Sequence, residues 1–330
     1  MKILVTGAAG YIGSVCTEML LERGHQVIAL DDLSEGHEEA VDARARFCRV
    51  SLYDVDSVDE VFRANRIDAV MHFAARCLVE ESVRKPGKYY RANVSAGINL
   101  LEVMLRHGVK KFIFSSTAAT YGEPETTPIA EEHPTAPVNP YGASKLLFER
   151  VLADFLGNSG MEYITMRYFN AAGASRKFGE EHRPETHIIP LLLEVAAGER
   201  ESFQIYGTDY ATPDGTCIRD YVHVMDISQA HALAVEQISQ FRGRIYNIGN
   251  GRGFSVHEVV ETAQSVTGRK INCRKAPRRA GDPAILVASS ERISRELGWS
   301  PKFSSLEAII ETAWKWKQEH PRGYSKPRSG

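Results

Sequence analysis

Cysteine is scarce and scattered in this 330-residue chain: Cys16, Cys48, Cys77, Cys217 and Cys273 form no CxxC pair. Such spacing offers neither a disulfide framework nor a cysteine zinc site, so no metal is expected. Charge of one sign is also missing, with 40 Lys and Arg against 42 Asp and Glu and a formal net charge of −2. That balance excludes a global attraction to nucleic acid or to an anionic membrane. No apolar run approaches the roughly 18 residues of a membrane span, and no charged leader precedes an apolar segment, so a cytoplasmic protein is expected. Internal repeats and low-complexity tracts are absent. What remains is 43% hydrophobic and 25% charged residues, enough for a large core shared between two lobes.

In the first half, apolar runs alternate with helix-period segments. The runs Lys2–Val5, Gln26–Leu30, Phe47–Val50, Ala69–Phe73, Lys111–Ser115 and Tyr163–Phe169 read as strands, with helices near 11–23, 55–64, 88–107 and 141–157. This alternation predicts an α/β fold, a Rossmann-like doubly wound parallel sheet. Five prolines between Glu123 and Pro140 mark a long surface loop. Beyond residue 172 a polar crossing, Gly173–His187, leads to a smaller α/β lobe. Helices are expected there near 188–198, 226–239, 255–267, 290–297 and 305–319, and strands near 203–206, 244–248 and 271–274. The expected domains are therefore 1–172 and, mainly, 173–330, with some later segments returning to the first. The tail from Tyr324 has little apolar content and is expected to be disordered.

Between the first strand and helix lies Gly7-Ala8-Ala9-Gly10-Tyr11-Ile12-Gly13. Small residues permit a tight turn and a close approach of backbone to a diphosphate, whose charge then rests on the open N–H groups of a helix N-terminus. Glycine triplets also serve plain turns, and the spacing is GxxGxxG rather than GxGxxG. Asp31 and Asp32, ending the second run, add the carboxylate that holds a ribose 2′-hydroxyl and repels a 2′-phosphate. NAD is thus expected in preference to NADP.

Tyr141 and Lys145 stand four apart at the start of a predicted helix, on one face. A free tyrosine has a pKa near 10, so about one in a thousand is ionised at pH 7. An ammonium beside it, with a positive nicotinamide ring, is expected to favour the phenolate; reaching pKa 7 takes about 4 kcal/mol. Upstream, the strand Phe112–Phe114 runs into Ser115, Ser116 and Thr117, at the carboxyl end where open α/β sheets bind ligands. Thr117 is positioned to hydrogen-bond a reacting alcohol.

These residues carry a resemblance. From TGAAGYIGS (6–14) to HPRGY (320–324) the chain resembles the UDP-glucose (UDP-galactose) 4-epimerase family of extended short-chain dehydrogenases/reductases. Shared segments include DDLSEG (31–36), HFAA (72–75), SSTAATYGEP (115–124), PYGASK (140–145), RYFNAAGA (167–174), DGTCIRDYVHV (214–224) and PRRAGDPA (277–284). The resemblance implies epimerisation at C4 of a UDP-hexose through a transient 4-keto sugar, with NAD as a retained cofactor. It makes Tyr141 the base, Lys145 its partner and ribose ligand, and Thr117 the hydroxyl beside them. Implied cofactor contacts are Gly7, Gly10, Tyr11, Ile12, Gly13, Asp31, Asp32, Leu33, Ser34, Ser51, Leu52, Phe73, Ala74, Ala75, Asn93, Ser115 and Phe169. Implied substrate contacts, besides Thr117 and Tyr141, are Asn170, His187, Gln204, Tyr206, Arg219, Arg279, Asp282 and Leu286. Arg219 and Arg279 suit a diphosphate because guanidinium matches phosphate geometry. The family also implies a homodimer with a UDP-sugar as its partner.

The chain departs from the family at three places, and from the neighbouring dehydratases at one more. Ser51 stands where relatives commonly have an Asp for the adenine amino group, Cys77 where some have a cofactor-binding Lys. Leu286 is intermediate between the bulky and small residues that gate N-acetylated sugars, which leaves UDP-GlcNAc and UDP-GalNAc open. Ala118 and Ala119 replace the Asp-Glu pair that dehydratases need, which disfavours dehydration. A UDP-pentose 4-epimerase and a reductase remain alternatives. A non-catalytic NAD sensor would typically lack the Tyr/Lys pair.

Overall fold

A computed structural model describes residues 1–279 and 281–324. In chain order the elements are β1 (Lys2–Thr6), α1 (Tyr11–Glu22), β2 (Gln26–Asp31), β3 (Arg46–Arg49), α2 (Val55–Ala64), β4 (Ala69–His72), α3 (Val79–Arg84), α4 (Pro86–Tyr90), α5 (Ala96–Arg106), β5 (Lys111–Thr117), α6 (Pro140–Ser159), β6 (Glu162–Tyr168) and β7 (Asn170–Ala172). There follow α7 (Ile188–Ala196), β8 (Phe203–Tyr206), β9 (Ile218–Arg219), β10 (Tyr221–His223), α8 (Val224–Gln237), β11 (Arg244–Ile248), β12 (Phe254–Ser255), α9 (Val256–Thr267), β13 (Cys273–Ala276), β14 (Ile285–Leu286), α10 (Glu291–Leu297) and α11 (Leu306–Glu319).

Seven strands form one parallel sheet in the order β11-β6-β5-β4-β1-β2-β3. Helices cover both faces, which is why the central strands read as unbroken apolar runs: Ile3, Leu4 and Val5 have no exposed surface. The order reverses between β1 and β4, and a crevice opens there at the carboxyl ends of the strands. β11 lies next to β6, and α8, β11 and α10 contribute Ile227, Tyr246 and Ile293 to the core that contains β1. The second lobe has its own core of Leu192, Ile205, Val259 and Ile309 from α7, β8, α9 and α11.

The structure differs from the sequence expectations at several points. The single helix expected near 88–107 is divided into α4 and α5 by a π turn over Arg91–Ser95. The proline-rich stretch carries no strand or helix before Pro140 opens α6, yet it is not all surface: Ile129 is fully buried and bridges to Ala288. The disordered tail expected from Tyr324 falls outside the described residues except at Tyr324 itself. That residue is buried, stacks 4.9 Å from His37 and exchanges hydrogen bonds with Gly179. Among the described residues no helix is long and apolar enough to cross a membrane.

Candidate active site

The glycine turn is a cradle that side chains would fill. Gly7 has φ 71°, and a Cβ there would lie 2.5 Å from the backbone nitrogen of Ala74; one on Gly13 would lie 2.1 Å from the Gly7 oxygen. Nothing else than glycine lets the turn, β4 and α1 approach so closely. α1 starts after Gly10 with neither a side-chain cap nor an acidic residue in its first turn, so its positive end faces the crevice. Asp31 closes the turn from β2, accepting hydrogen bonds from the N–H of Ala9 (3.0 Å) and Leu33 (2.8 Å), while Asp32 accepts from Ser34 N–H at 2.9 Å. Asp31, Asp32, Ser34, Ser51, Leu52, Phe73, Ala74 and Ala75 line a groove continuing from this turn. Leu33 sits at positive φ in the bend and does not line the groove.

A cleft of about 810 Å³ runs from Gly7, Gly10, Tyr11, Ile12 and Gly13 to the second lobe. Ser115 and Thr117 reach it from the end of β5, and Tyr141 and Lys145 from the start of α6. The sequence builds this junction locally. Asn139 caps α6 by accepting from Gly142 N–H at 2.9 Å, Pro140 suits the first helical turn, and a Cβ on Gly142 would be 2.4 Å from the Ala119 oxygen. The helix start is thereby pressed onto the turn after β5, and Thr117 and Tyr141 line the same cleft.

Lys145 Nζ donates to the main-chain oxygen of Ser115 at 2.8 Å and lies 5.0 Å from the centre of the Phe114 ring. Burial pulls its pKa down to about 8. Burial likewise pushes the Tyr141 phenol well above its ordinary value, with the nearby Thr117 hydroxyl acting the other way. The expected downward shift is therefore not produced by the protein's own groups; desolvation outweighs them. Behind the pair, Glu149 accepts from Ser116 Oγ at 2.5 Å and from Arg167 Nε at 3.0 Å, and Arg167 lies over the Tyr121 ring at 4.8 Å. This buried network stiffens the ends of β5 and β6 beneath the site.

The far wall belongs to the second lobe. Arg219 is 8% exposed, donates to Ile218 O at 2.8 Å and pairs with the Asp282 carboxylate. Burial opposes its charge while Asp282 favours it, and the net effect holds the guanidinium above its ordinary pKa. The Arg279 guanidinium lies 4.0 Å from the centre of the Tyr206 ring. Phe169, Asn170, His187 and Leu286 complete the lining, with Leu286 in register with Arg219.

Two expected contacts are placed elsewhere. Asn93 is 1% exposed and spends its amide on Arg76 N–H (2.8 Å), Arg76 O (3.0 Å) and Ser144 Oγ (2.9 Å), so it braces α6 instead of lining the cleft. Gln204 lies on the exposed face of β8 and accepts from the Tyr206 hydroxyl at 2.7 Å. Conversely, the cleft is lined by residues the motifs pass over: Arg76, paired with Glu35, and Glu180 and His182 with their neighbour Glu185. Arg76 adjoins Cys77, and the interleaved Glu and His of GEEHRPETH are a signal that cysteine spacing does not contain.

The whole chain is similar to known proteins. Residues 3–249 match the NAD dependent epimerase/dehydratase family. A UDP-glucose 4-epimerase of Halalkalibacterium halodurans is 52% identical over 328 residues, 98% of each chain. A crystal structure of UDP-glucose 4-epimerase from Brucella ovis in complex with NAD is 42% identical with a TM-score of 0.92, covering 96% of this chain and 98% of that one. One from Bifidobacterium longum in complex with NAD+ and UDP is 36% identical with a TM-score of 0.94, covering 98% and 100%.

Proposed function

The chain belongs to the NAD dependent epimerase/dehydratase family, its reaction is the NAD-dependent epimerisation of a UDP-hexose at C4, and we propose that Tyr141 is the group that moves the C4-hydroxyl proton. The cradle at Gly7 and Gly13 fits a dinucleotide, because a diphosphate occupies the space that Cβ atoms would take. Asp31 and Asp32 hold the adenosine ribose, and Ser51 and Leu52 flank the base. Bound NAD supplies the hydride chemistry and a positively charged ring at the cleft's inner end.

Thr117 holds the C4 hydroxyl, and the Tyr141 phenolate takes its proton and later returns it. Lys145 steadies the phenolate and binds the nicotinamide ribose. Between the two proton movements the 4-keto sugar presents its opposite face, so the hexose turns while its diphosphate stays fixed. Arg219 and Arg279 anchor that diphosphate, with Asn170, Tyr206 and Asp282 around the nucleotide and Leu286 beside the sugar. Ala118 and Ala119 line the same cleft and carry no carboxyl, which suits a reaction that eliminates no water. By family resemblance the protein works in the cytoplasm as a homodimer.

The observation that carries this reading is the convergence of Thr117, Tyr141 and Lys145 on one cleft between the glycine turn and Arg219. Incubation of the purified protein with a panel of UDP-sugars, without added cofactor, is expected to interconvert C4 epimers, N-acetylated sugars included. Stoichiometric release of NADH without epimer formation would replace the epimerase with a dehydrogenase.

A further inference from the structure

On the segment before α7, Glu180, His182, Glu185 and His187 each present one donor atom, and the four atoms all lie within 4.8 Å of one another. His187 Nδ1 is 2.9 Å from Glu180 Oε1 and 3.1 Å from Glu185 Oε1; His182 Nδ1 is 3.4 Å from Glu180 Oε1 and 3.5 Å from Glu185 Oε2. Four ligands about 2.0–2.1 Å from a tetrahedral zinc ion stand about 3.3 Å apart. The observed carboxylate–imidazole distances, 2.9–3.5 Å with Glu185 offering Oε1 to His187 and Oε2 to His182, bracket that value.

Two further features point to a ligand. His182 Nδ1 is buried and makes no hydrogen bond, although it faces both carboxylates. Glu185 is oriented by backbone N–H groups, from Thr186 at 2.7 Å and His187 at 2.8 Å onto Oε1 and from His182 at 3.3 Å onto Oε2. Oriented carboxylates and imidazoles are what an outer shell provides at metal sites. Two imidazoles with two carboxylates suit zinc-class ions better than magnesium or calcium, which prefer oxygen alone. Four protein donors leave no open position, the pattern of a structural site.

We propose that Glu180, His182, Glu185 and His187 bind one divalent transition-metal ion of the zinc class, fastening this segment against Tyr11 of the glycine turn. The His182 ring meets Tyr11 edge-on at 6.4 Å, and the Tyr11 hydroxyl donates to Gly173 O at 2.6 Å, so the clamp joins the second lobe to the dinucleotide cradle. The competing arrangement is a closed set of ion pairs, in which protons on the two imidazoles take the place of the metal.

The test uses the full chain, untagged and NAD-loaded. Elemental analysis after growth with zinc is expected to find about one equivalent. After chelation, titration with Co²⁺ is expected to give the intense visible bands of tetrahedral coordination at one equivalent. His182→Asn and the near-isosteric Glu185→Gln are each expected to weaken Co²⁺ binding by about a hundredfold or more. Circular dichroism and retained NAD report whether each variant is folded. Wild-type protein that purifies without metal and gives no tetrahedral Co²⁺ spectrum would overturn the proposal, as would undiminished Co²⁺ binding by both folded variants.

Discussion

The ammonium of Lys145 is tied to the main-chain oxygen of Ser115, 2.8 Å away, inside a site where the lysine is only 3% exposed. A single neutral acceptor does not offset the lost hydration of a buried cation, and the lysine pKa falls from 10.5 to about 8. The folded state therefore binds this proton less tightly than the unfolded chain. Below about pH 8 the penalty is present in full; it disappears as pH rises toward 10.5, with stability increasing across that window. The shift corresponds to about 3 kcal/mol, from which about 1 kcal/mol is deducted for the hydrogen bond to Ser115. Lys145→Met is expected to abolish epimerisation and yet stabilise the NAD-free protein at pH 7 by about 2 kcal/mol. Urea unfolding at pH 7 and pH 10.5 checks both the sign and the pH dependence; a variant less stable at pH 7 contradicts it.

Tyr141→Phe removes one oxygen from a half-buried ring and leaves the cradle and the arginines untouched. Turnover is expected to fall by at least a hundredfold, the usual worth of a positioned proton carrier, while bound NAD and UDP affinity stay as in the wild type. Steady-state rates beside UDP titration and cofactor content make the comparison. Retention of more than a few per cent of the rate would shift the proton to another group.

Local signals account for much of what the sequence revealed. The parallel strands are apolar runs because both sheet faces are covered, and α1 announces itself by the glycine turn before it. What stayed hidden depends on distant partners. β7, β9, β10, β12 and β14 have two or three residues each, too few to show any periodicity, and exist because β7 meets β10 and β9 joins β12 to β14. β11 reads as a strand, but nothing within it says that it pairs with β6. At Tyr141 the spacing was legible and the electrostatics was not: Tyr141 and Lys145 share a helix face and line one cleft, whereas burial, which raises the phenol pKa, belongs to the assembled fold.

Leu286 faces the cleft from β14 and packs with the cluster holding Tyr121 and Phe169. A tyrosine there takes up room that an N-acetyl group needs, and overfilling a packed site costs about 1–3 kcal/mol. Leu286→Tyr is expected to lower kcat/KM on UDP-N-acetylhexosamines about tenfold or more relative to UDP-galactose. Parallel kinetics on both sugars decide the matter, and an equal loss on each removes Leu286 from the gate.

Arg219 cannot meet a diphosphate without regard to Asp282, because its guanidinium already holds that carboxylate. A free carboxylate would repel a UDP-sugar; paired, it fixes the direction of the arginine fork and leaves the remaining N–H groups to the ligand. The β9 backbone helps, since Nη1 also donates to Ile218 O at 2.8 Å. Arg219→Ala removes the cation and strips Asp282 of this partner, so both changes act against an anionic ligand. A charged hydrogen bond contributes about 2 kcal/mol, or roughly thirtyfold, and KM for the UDP-sugar is expected to rise by at least that factor. The diphosphate is remote from C4, so kcat is expected to change no more than a few-fold, the signature of lost uniform binding. Arg219→Lys restores charge without the planar fork and is expected to fall between the two. A kcat that collapses at unchanged KM would place Arg219 at the reacting carbon instead of at the anchor.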